Sequence, residues 1–187
     1  MKKTILSVAL ASASLLAFSS AYAVDSGEIT FDGEITSTTC TVHGGIPTNP
    51  TGDFTVSLPK ISADAFSSTR LTAGSTGYNI YVGAAGEVGC ANGTMVAIQY
   101  DPNSASVDPM SGRLNLDAGD APGVQLQVSD ALTSMPINLF TNTQSTQVEI
   151  SDNQATLPFT TEYYASNLTA LAAGSVNARV NYVLTYE

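Results

Sequence analysis

The chain has 187 residues, of which 16 are acidic and only 6 are lysine or arginine, so its formal net charge at pH 7 is −10. Such an acidic surface repels nucleic acid, which excludes a nucleic-acid-binding class. Hydrophobic residues make up 43% of the chain, which is enough to build the core of a globular domain.

The first 23 residues have the features of a secretory signal peptide. Lys2 and Lys3 precede an apolar run from residue 5 to 18, and the small-residue motif of a cleavage site ends at Ala23. The apolar run is shorter than the roughly 20 residues needed to cross a bilayer. We therefore expect export of a mature chain that begins at Val24, has no membrane span and suits one domain.

The mature chain opens with a segment whose side chains alternate in character. The positions of one face are Gly27, Ile29, Phe31, Gly33 and Ile35, and those of the other are Glu28, Thr30, Asp32 and Glu34. This period of two predicts a strand with one apolar and one charged face. An edge strand of a sandwich explains the charges. It does not explain Gly33, which interrupts the apolar face where a side chain would normally pack.

Short runs rich in β-branched and aromatic residues recur along the rest of the chain, separated by turn-forming loops at 44–52, 101–112 and 117–123. One helical turn is predicted within 62–68, with Ser62 as its cap. Strands are predicted at 28–42, 54–58, 78–82, 95–100, 113–116, 124–128, 137–140, 147–150, 157–164 and 176–186. These elements indicate an all-β sandwich. Because the chain lacks tryptophan, an antibody-type core is excluded.

Cys40 and Cys90 are the only cysteines, and they lie in a chain expected to reach an oxidising compartment. A single disulfide between them is therefore predicted. A zinc site is the alternative, but it needs four ligands and the chain could add only His43. We expect no metal and no cofactor.

The C-terminal end alternates in the same way, and it does so up to the penultimate residue. An apolar face this close to a chain end indicates that the end is held in a sheet. A terminal core strand would account for the pattern equally well. The apolar positions are Val176, Ala178, Val180, Tyr182, Leu184 and Tyr186.

Together these segments resemble the subunits of chaperone-usher fimbriae, in particular the type 1 major-pilin-like family. The segment 29–35, followed by Cys40, looks like the N-terminal extension of these pilins. Gly174 and Tyr186 stand fourteenth and second from the end, as a glycine and an aromatic residue do in that family. Residues 78–82, 123–126 and 157–165 resemble the family's core strands in the same order.

The resemblance implies an incomplete immunoglobulin-like β-sandwich, completed by a donor strand from a neighbouring subunit. Residues 24–37 would be the N-terminal donor-strand extension and 38–187 the pilin domain. The implied partners are other pilus subunits, a periplasmic chaperone and an outer-membrane usher, in a homopolymer. The donor residues would be Ile29, Phe31, Gly33 and Ile35. The acceptor groove, which the chaperone would also recognise, would comprise Gly174, Val176, Ala178, Val180, Tyr182, Leu184 and Tyr186.

The implied function is that of a structural subunit of a fimbrium on the bacterial cell surface, supporting cell adhesion. With no room for a receptor-binding domain, we expect an interior subunit that both donates and receives a strand. The alternative is a monomeric secreted β-sandwich that binds carbohydrate. An enzyme is not expected, because His43 is the only histidine and lies in a predicted loop. The acidic pairs Asp101 and Asp108, and Asp117 and Asp120, are expected to be solvating charges.

Overall fold

The structure is a computed structural model that describes residues 40–187. The predicted signal peptide and donor strand lie outside these residues. The described residues form antiparallel strands and a turn of 3-10 helix, Ala63–Ala65, which Ser62 caps as predicted by accepting a hydrogen bond from the amide of Asp64. The strands are β1 (Val42–Gly44), β2 (Thr72–Gly83), β3 (Met95–Tyr100), β4 (Leu114–Asn115), β5 (Val124–Asp130), β6 (Met135–Pro136), β7 (Val148–Glu149), β8 (Gln154–Ala165) and β9 (Tyr182–Tyr186).

These strands form two sheets. The larger has the order β1-β2-β8-β5-β4, with β6 beside β5, and the smaller has the order β7-β3-β9. Buried side chains from β2, β3, β5 and β8 belong to one hydrophobic core, so the core draws on both sheets. This arrangement confirms the predicted all-β class. No helix within residues 40–187 is both long enough and apolar enough to span a membrane.

The long antiparallel strands β2 and β8 supply much of the core because their side chains alternate between faces. Phe159 pairs with Tyr78 and Leu157 pairs with Ile80, so inward residues of the two strands lie side by side. Phe159, Leu157 and Ile80 are each only 1% exposed. Tyr163 on the same face is also buried.

The predicted disulfide between Cys40 and Cys90 is present. It joins residues 50 positions apart, and closing a loop of that length stabilises the fold by about 4 kcal/mol on the chain-entropy model. Gly83 packs directly against it. A Cβ at Gly83 would lie 2.6 Å from the Cys90 sulfur and 2.1 Å from the Asn153 carbonyl oxygen, and its φ of +74° already favours glycine.

The predictions for residues 137–140 and for His43 are wrong. Residues 137–140 do not form a strand, because Asn138 Oδ1 accepts hydrogen bonds from the amides of Phe140 and Thr141 and bends the chain into a turn. His43 lies in β1, where it pairs with Tyr81, and not in a loop. The loop begins only at Gly45, which has a φ of +77°.

Candidate binding groove

A long open groove with a volume of about 1580 Å³ runs along the sandwich. We call residues 52–63 its first wall and residues 171–184 its second wall. Its floor consists mainly of apolar and aromatic side chains from both sheets. These floor residues are Tyr78, Ile80, Tyr100, Leu114, Ala121, Val124, Leu126, Val128, Thr161 and Tyr163. A groove this large and this apolar is far more than the surface irregularity of an ordinary monomer.

The second wall contains most of the residues that the C-terminal pattern singled out. Alternate side chains are turned toward the core and are half-buried, while the intervening Asn177, Arg179, Asn181 and Val183 are exposed. Gly174, Val176, Ala178, Val180, Tyr182 and Leu184 line the groove. Tyr186 packs on the same core beyond the groove's end.

The backbone of the second wall is hydrogen-bonded along one edge only. The carbonyl oxygens of Ser175, Asn177 and Asn181 accept hydrogen bonds of 2.8–2.9 Å from backbone amides within residues 101–121. Farther along, Glu187 exchanges both backbone hydrogen bonds with Met95 of β3. Because backbone groups alternate in direction along a strand, the odd-numbered residues use this edge and the even-numbered ones face the groove. For the backbone groups of residues 176, 178 and 180, the described part of the chain supplies no partner.

Regular pairing of the second wall begins only at Tyr182, later than the predicted start of the strand at residue 176. The preceding residues lie against loops, and side chains replace the missing ladder. Ser104 and Ser106, both buried, accept hydrogen bonds from the amides of Asn181 (2.9 Å) and Arg179 (3.1 Å). The wall is thus fixed in an extended conformation without a neighbouring strand at this point.

Asp120 fastens the beginning of the second wall. Its carboxylate accepts hydrogen bonds from the Ser175 hydroxyl and from the side chain and amide of Asn177. The hydrogen bond from Ser175, followed by those from Asn177, lowers the pKa of Asp120 below its ordinary value. The sequence interpretation of Asp120 as a solvating charge is therefore wrong. Ser175 lies 55 residues from Asp120 in the chain, so no local sequence pattern indicates that the two side chains are in contact.

The first wall is extended but lacks strand pairing. Phe54, Val56 and Leu58 are half-buried and alternate with the exposed Thr55 and Ser57, as the predicted strand at 54–58 requires. Within residues 40–187, however, no backbone hydrogen bond to this stretch is found, so it is not a strand of either sheet. Both walls therefore present backbone edges that a single further strand between them could satisfy.

Aromatic rings form one end of the floor. Phe54 and Phe159 lie on either side of Tyr78, each with its ring centroid 5.6 Å from the Tyr78 centroid. The hydroxyls of Tyr78 and Tyr100 lie 3.4 Å apart, and burial raises the pKa of both, so both remain protonated and one donates to the other. Here the walls also touch, because the Tyr182 hydroxyl donates a hydrogen bond of 2.7 Å to the Gly52 carbonyl oxygen.

Gly174 lies where the second wall begins and packs on the backbone of Ala121. A Cβ at Gly174 would lie 2.7 Å from the Ala121 nitrogen and 2.8 Å from its Cα. Since backbone cannot rotate away, Gly174→Ala is expected to displace the wall and lower the free energy of unfolding by about 1–3 kcal/mol. Urea-induced unfolding of the domain with a synthetic peptide of residues 24–37 bound in the groove, measured by far-UV circular dichroism, tests this. Gly77→Ala is the matched control, because a Cβ there meets nothing nearer than 3.9 Å. Equal midpoints for the two variants would contradict the expectation.

The residues weighed for catalysis have structural contacts instead. His43 Nδ1 donates to the Asn49 carbonyl oxygen, and its Nε2 lies 3.1 Å from the Thr41 hydroxyl. Asp108 accepts hydrogen bonds from Ser111 and Gln125. These contacts hold loops against strands.

The donor residues predicted from the sequence, Ile29, Phe31, Gly33 and Ile35, lie outside the described residues. The structure thus brings together the predicted acceptor residues of the second wall. It adds the first wall and the aromatic floor, which sequence reasoning missed. The alternating pattern at 54–58 predicted an extended segment, but it did not indicate that this segment forms one side of a groove.

Comparison with known proteins identifies the family. Residues 29–187 match the family model described as fimbrial protein. The chain is 31% identical over 175 residues to the F17 fimbrial protein of Escherichia coli, a match covering 91% of this chain and 93% of the relative. It is 34% identical over 170 residues to the major fimbrial subunit SMF-1 of Stenotrophomonas maltophilia strain K279a, covering 86% and 92%.

The fold has a counterpart among solved structures. It superimposes on the P pilus rod subunit PapA with a TM-score of 0.55 at 18% identity, covering 79% of this chain and 99% of that one. The described domain thus has the pilin fold, and the chain belongs to the fimbrial protein family. This is a family of structural proteins and not an enzyme family.

Proposed function

We propose that this chain is a structural subunit of a cell-surface fimbria, and that residues 24–37 of one copy, the donor segment, fill the groove of the next. The observation that carries the proposal is the pair of walls whose facing backbone edges have no partner in the described part of the chain. The fimbrial relatives support the same assignment.

The donor segment matches the groove in length and period. Residues 27–35 and the groove-lining residues 176–184 each span nine positions with apolar side chains on alternate ones. Placed between the walls, Ile29, Phe31 and Ile35 turn toward the floor, and the donor backbone satisfies both edges. Burying these three side chains contributes about 5 to 9 kcal/mol. We assign Gly33 to a position of the floor that admits no side chain, and this would fix the register.

Before assembly the groove needs a temporary occupant, because an uncovered apolar surface of this size promotes aggregation. We assign that role to a periplasmic chaperone that inserts a strand of its own, which an outer-membrane usher then exchanges for the donor segment of the next subunit. Residues 1–23 act as the signal peptide for export, and residues 38–187 form the pilin domain. The resulting homopolymer supports cell adhesion.

Deleting residues 25–36 tests the proposal. The variant keeps the signal cleavage site and the groove, so we expect normal export and chaperone capture but no homopolymer. Electron microscopy of surface fibres with immunogold labelling, together with gels run without boiling, measures assembly. Gold-labelled fibres of normal length from this variant would overturn the proposal. So would recovery of the unaltered mature chain as a stable folded monomer on size exclusion.

A further inference from the structure

Basic residues are concentrated at the groove. Residues 40–187 contain twelve acidic side chains but only four basic ones, Lys60, Arg70, Arg113 and Arg179. Lys60 lies in the first wall and Arg179 in the second, and Asp53 is the acidic side chain that lines the groove with them. Among the residues that line the groove, two cations therefore outnumber one carboxylate, while Asp117 and Asp120 contact the second wall from neighbouring loops.

Lys60 and Arg179 differ from Arg113 in being able to bind a charged group from another chain. Arg113 lies over the Tyr164 ring at 3.5 Å from its centroid and donates to Gln127, so it is committed within the domain. Arg179 is 85% exposed and makes one ion pair of 3.4 Å with Asp117, itself 43% exposed. Exposed single ion pairs are weak, so Arg179 can exchange this partner for another.

The donor segment carries the complementary charge. Ile29, Phe31 and Ile35 lie on one face of this predicted strand, and the opposite face carries Glu28, Asp32 and Glu34. A strand that turns its odd-numbered side chains toward the floor must turn these carboxylates outward. There they lie on the same face as the outward side chains of the second wall, of which Arg179 is one. Lys60 is exposed and lines the groove from the first wall.

We propose that Arg179 and Lys60 form a charge clamp over the acidic outer face of the donor segment, so that each subunit selects an acidic donor strand. The inference rests on the proposed function. Cross-strand pairs of opposite charge stabilise a sheet, whereas like charges directly opposite destabilise it. The clamp also steers an acidic donor toward a groove that the rest of the acidic domain would repel.

The test uses fibres of the full-length chain, because every subunit in them both donates and receives. Arg179→Glu is expected to speed dissociation in urea about two- to five-fold at about 0.05 M NaCl, and much less at about 0.5 M NaCl. Combining it with Glu34→Lys or Asp32→Lys is expected to restore the parental rate. Lys60→Glu is expected to behave like Arg179→Glu. Dissociation is measured by the monomer released on gels run without boiling.

Arg70→Glu is the matched control, since it changes the net charge equally at a residue that does not line the groove. If Arg179→Glu and Lys60→Glu both dissociate at the control's rate at low salt, the clamp is wrong. If a reversed-charge variant does not assemble, Arg179→Gln supplies the same comparison. Deletion of residues 25–36 distinguishes failure of the clamp from failure of the proposed function. If only the clamp is wrong, this deletion still abolishes fibres. If the proposed function is wrong, fibres form despite the deletion.

Discussion

Replacing Gly33 by leucine is expected to abolish fibre assembly while leaving the amount of chaperone-bound subunit unchanged. In the proposed assembly residue 33 faces the groove floor, at the position that we assign as admitting no side chain. Shifting the segment by one residue would turn its apolar side chains to solvent, which forfeits about 5 to 9 kcal/mol of burial. In the proposed function the chaperone binds the groove and not the donor segment, so its capture of this variant is expected to be unaffected.

The control for this variant is Asp32→Leu, which adds the same side chain one position away on the outward face. It is expected to allow assembly, with the modest weakening that loss of one carboxylate produces. Electron microscopy and gels run without boiling compare the two. Normal fibres from Gly33→Leu would show that the register assigned to the donor segment is wrong.

Removing residues 182–187 is expected to eliminate folded subunit from the periplasm. The deletion removes β9, which pairs with β3 along the whole strand, and so uncovers Val96 and Ile98, both fully buried. The inward side chains lost contribute about 1.5–3 kcal/mol each, a total comparable with the whole stability of a domain. The measurement is the amount of subunit recovered with the chaperone from periplasmic extracts.

Two triple variants distinguish the loss of inward side chains of β9 from the effect of shortening the chain. Serine at the three inward positions of β9 is expected to reproduce the loss, whereas serine at three outward positions in and next to β9 is expected to be tolerated. Equal recovery of both triple variants would contradict the assigned role of this strand. The inward set is Tyr182, Leu184 and Tyr186, and the outward set is Asn181, Val183 and Thr185.

The apolar period of two predicted strands correctly where each strand pairs with another strand of the same domain. The strand predicted at 95–100 coincides with β3, and the strand predicted at 157–164 lies inside β8. At 54–58 the same pattern gave an extended segment that is not a strand, because pairing depends on a neighbour that local sequence cannot reveal. At 137–140 the Asn138 side chain outweighed the apolar pattern by bending the backbone.

The candidate groove was predictable on one side only. The alternation from residue 176 to 186 marked the second wall, since a half-buried strand has a period of two in any context. The hydrogen bonds that hold this wall in place were not predictable. They come from Asp120, Ser104 and Ser106, which lie in loops more than 50 residues upstream. The sequence of a loop does not show which of its polar side chains bind another segment and which are solvated.

The disulfide has a mechanical consequence for a fibre under tension. Cys40 comes directly after the segment through which one subunit would hold the next, and its bond to Cys90 leads within five residues to β3. β3 is in turn hydrogen-bonded to β9, which lines the receiving groove. A pulling force that enters at Cys40 would therefore divide between two paths, the backbone into β1 and the larger sheet, and the disulfide into β3. The disulfide gives the smaller sheet, and with it the receiving groove, a covalent share of the load.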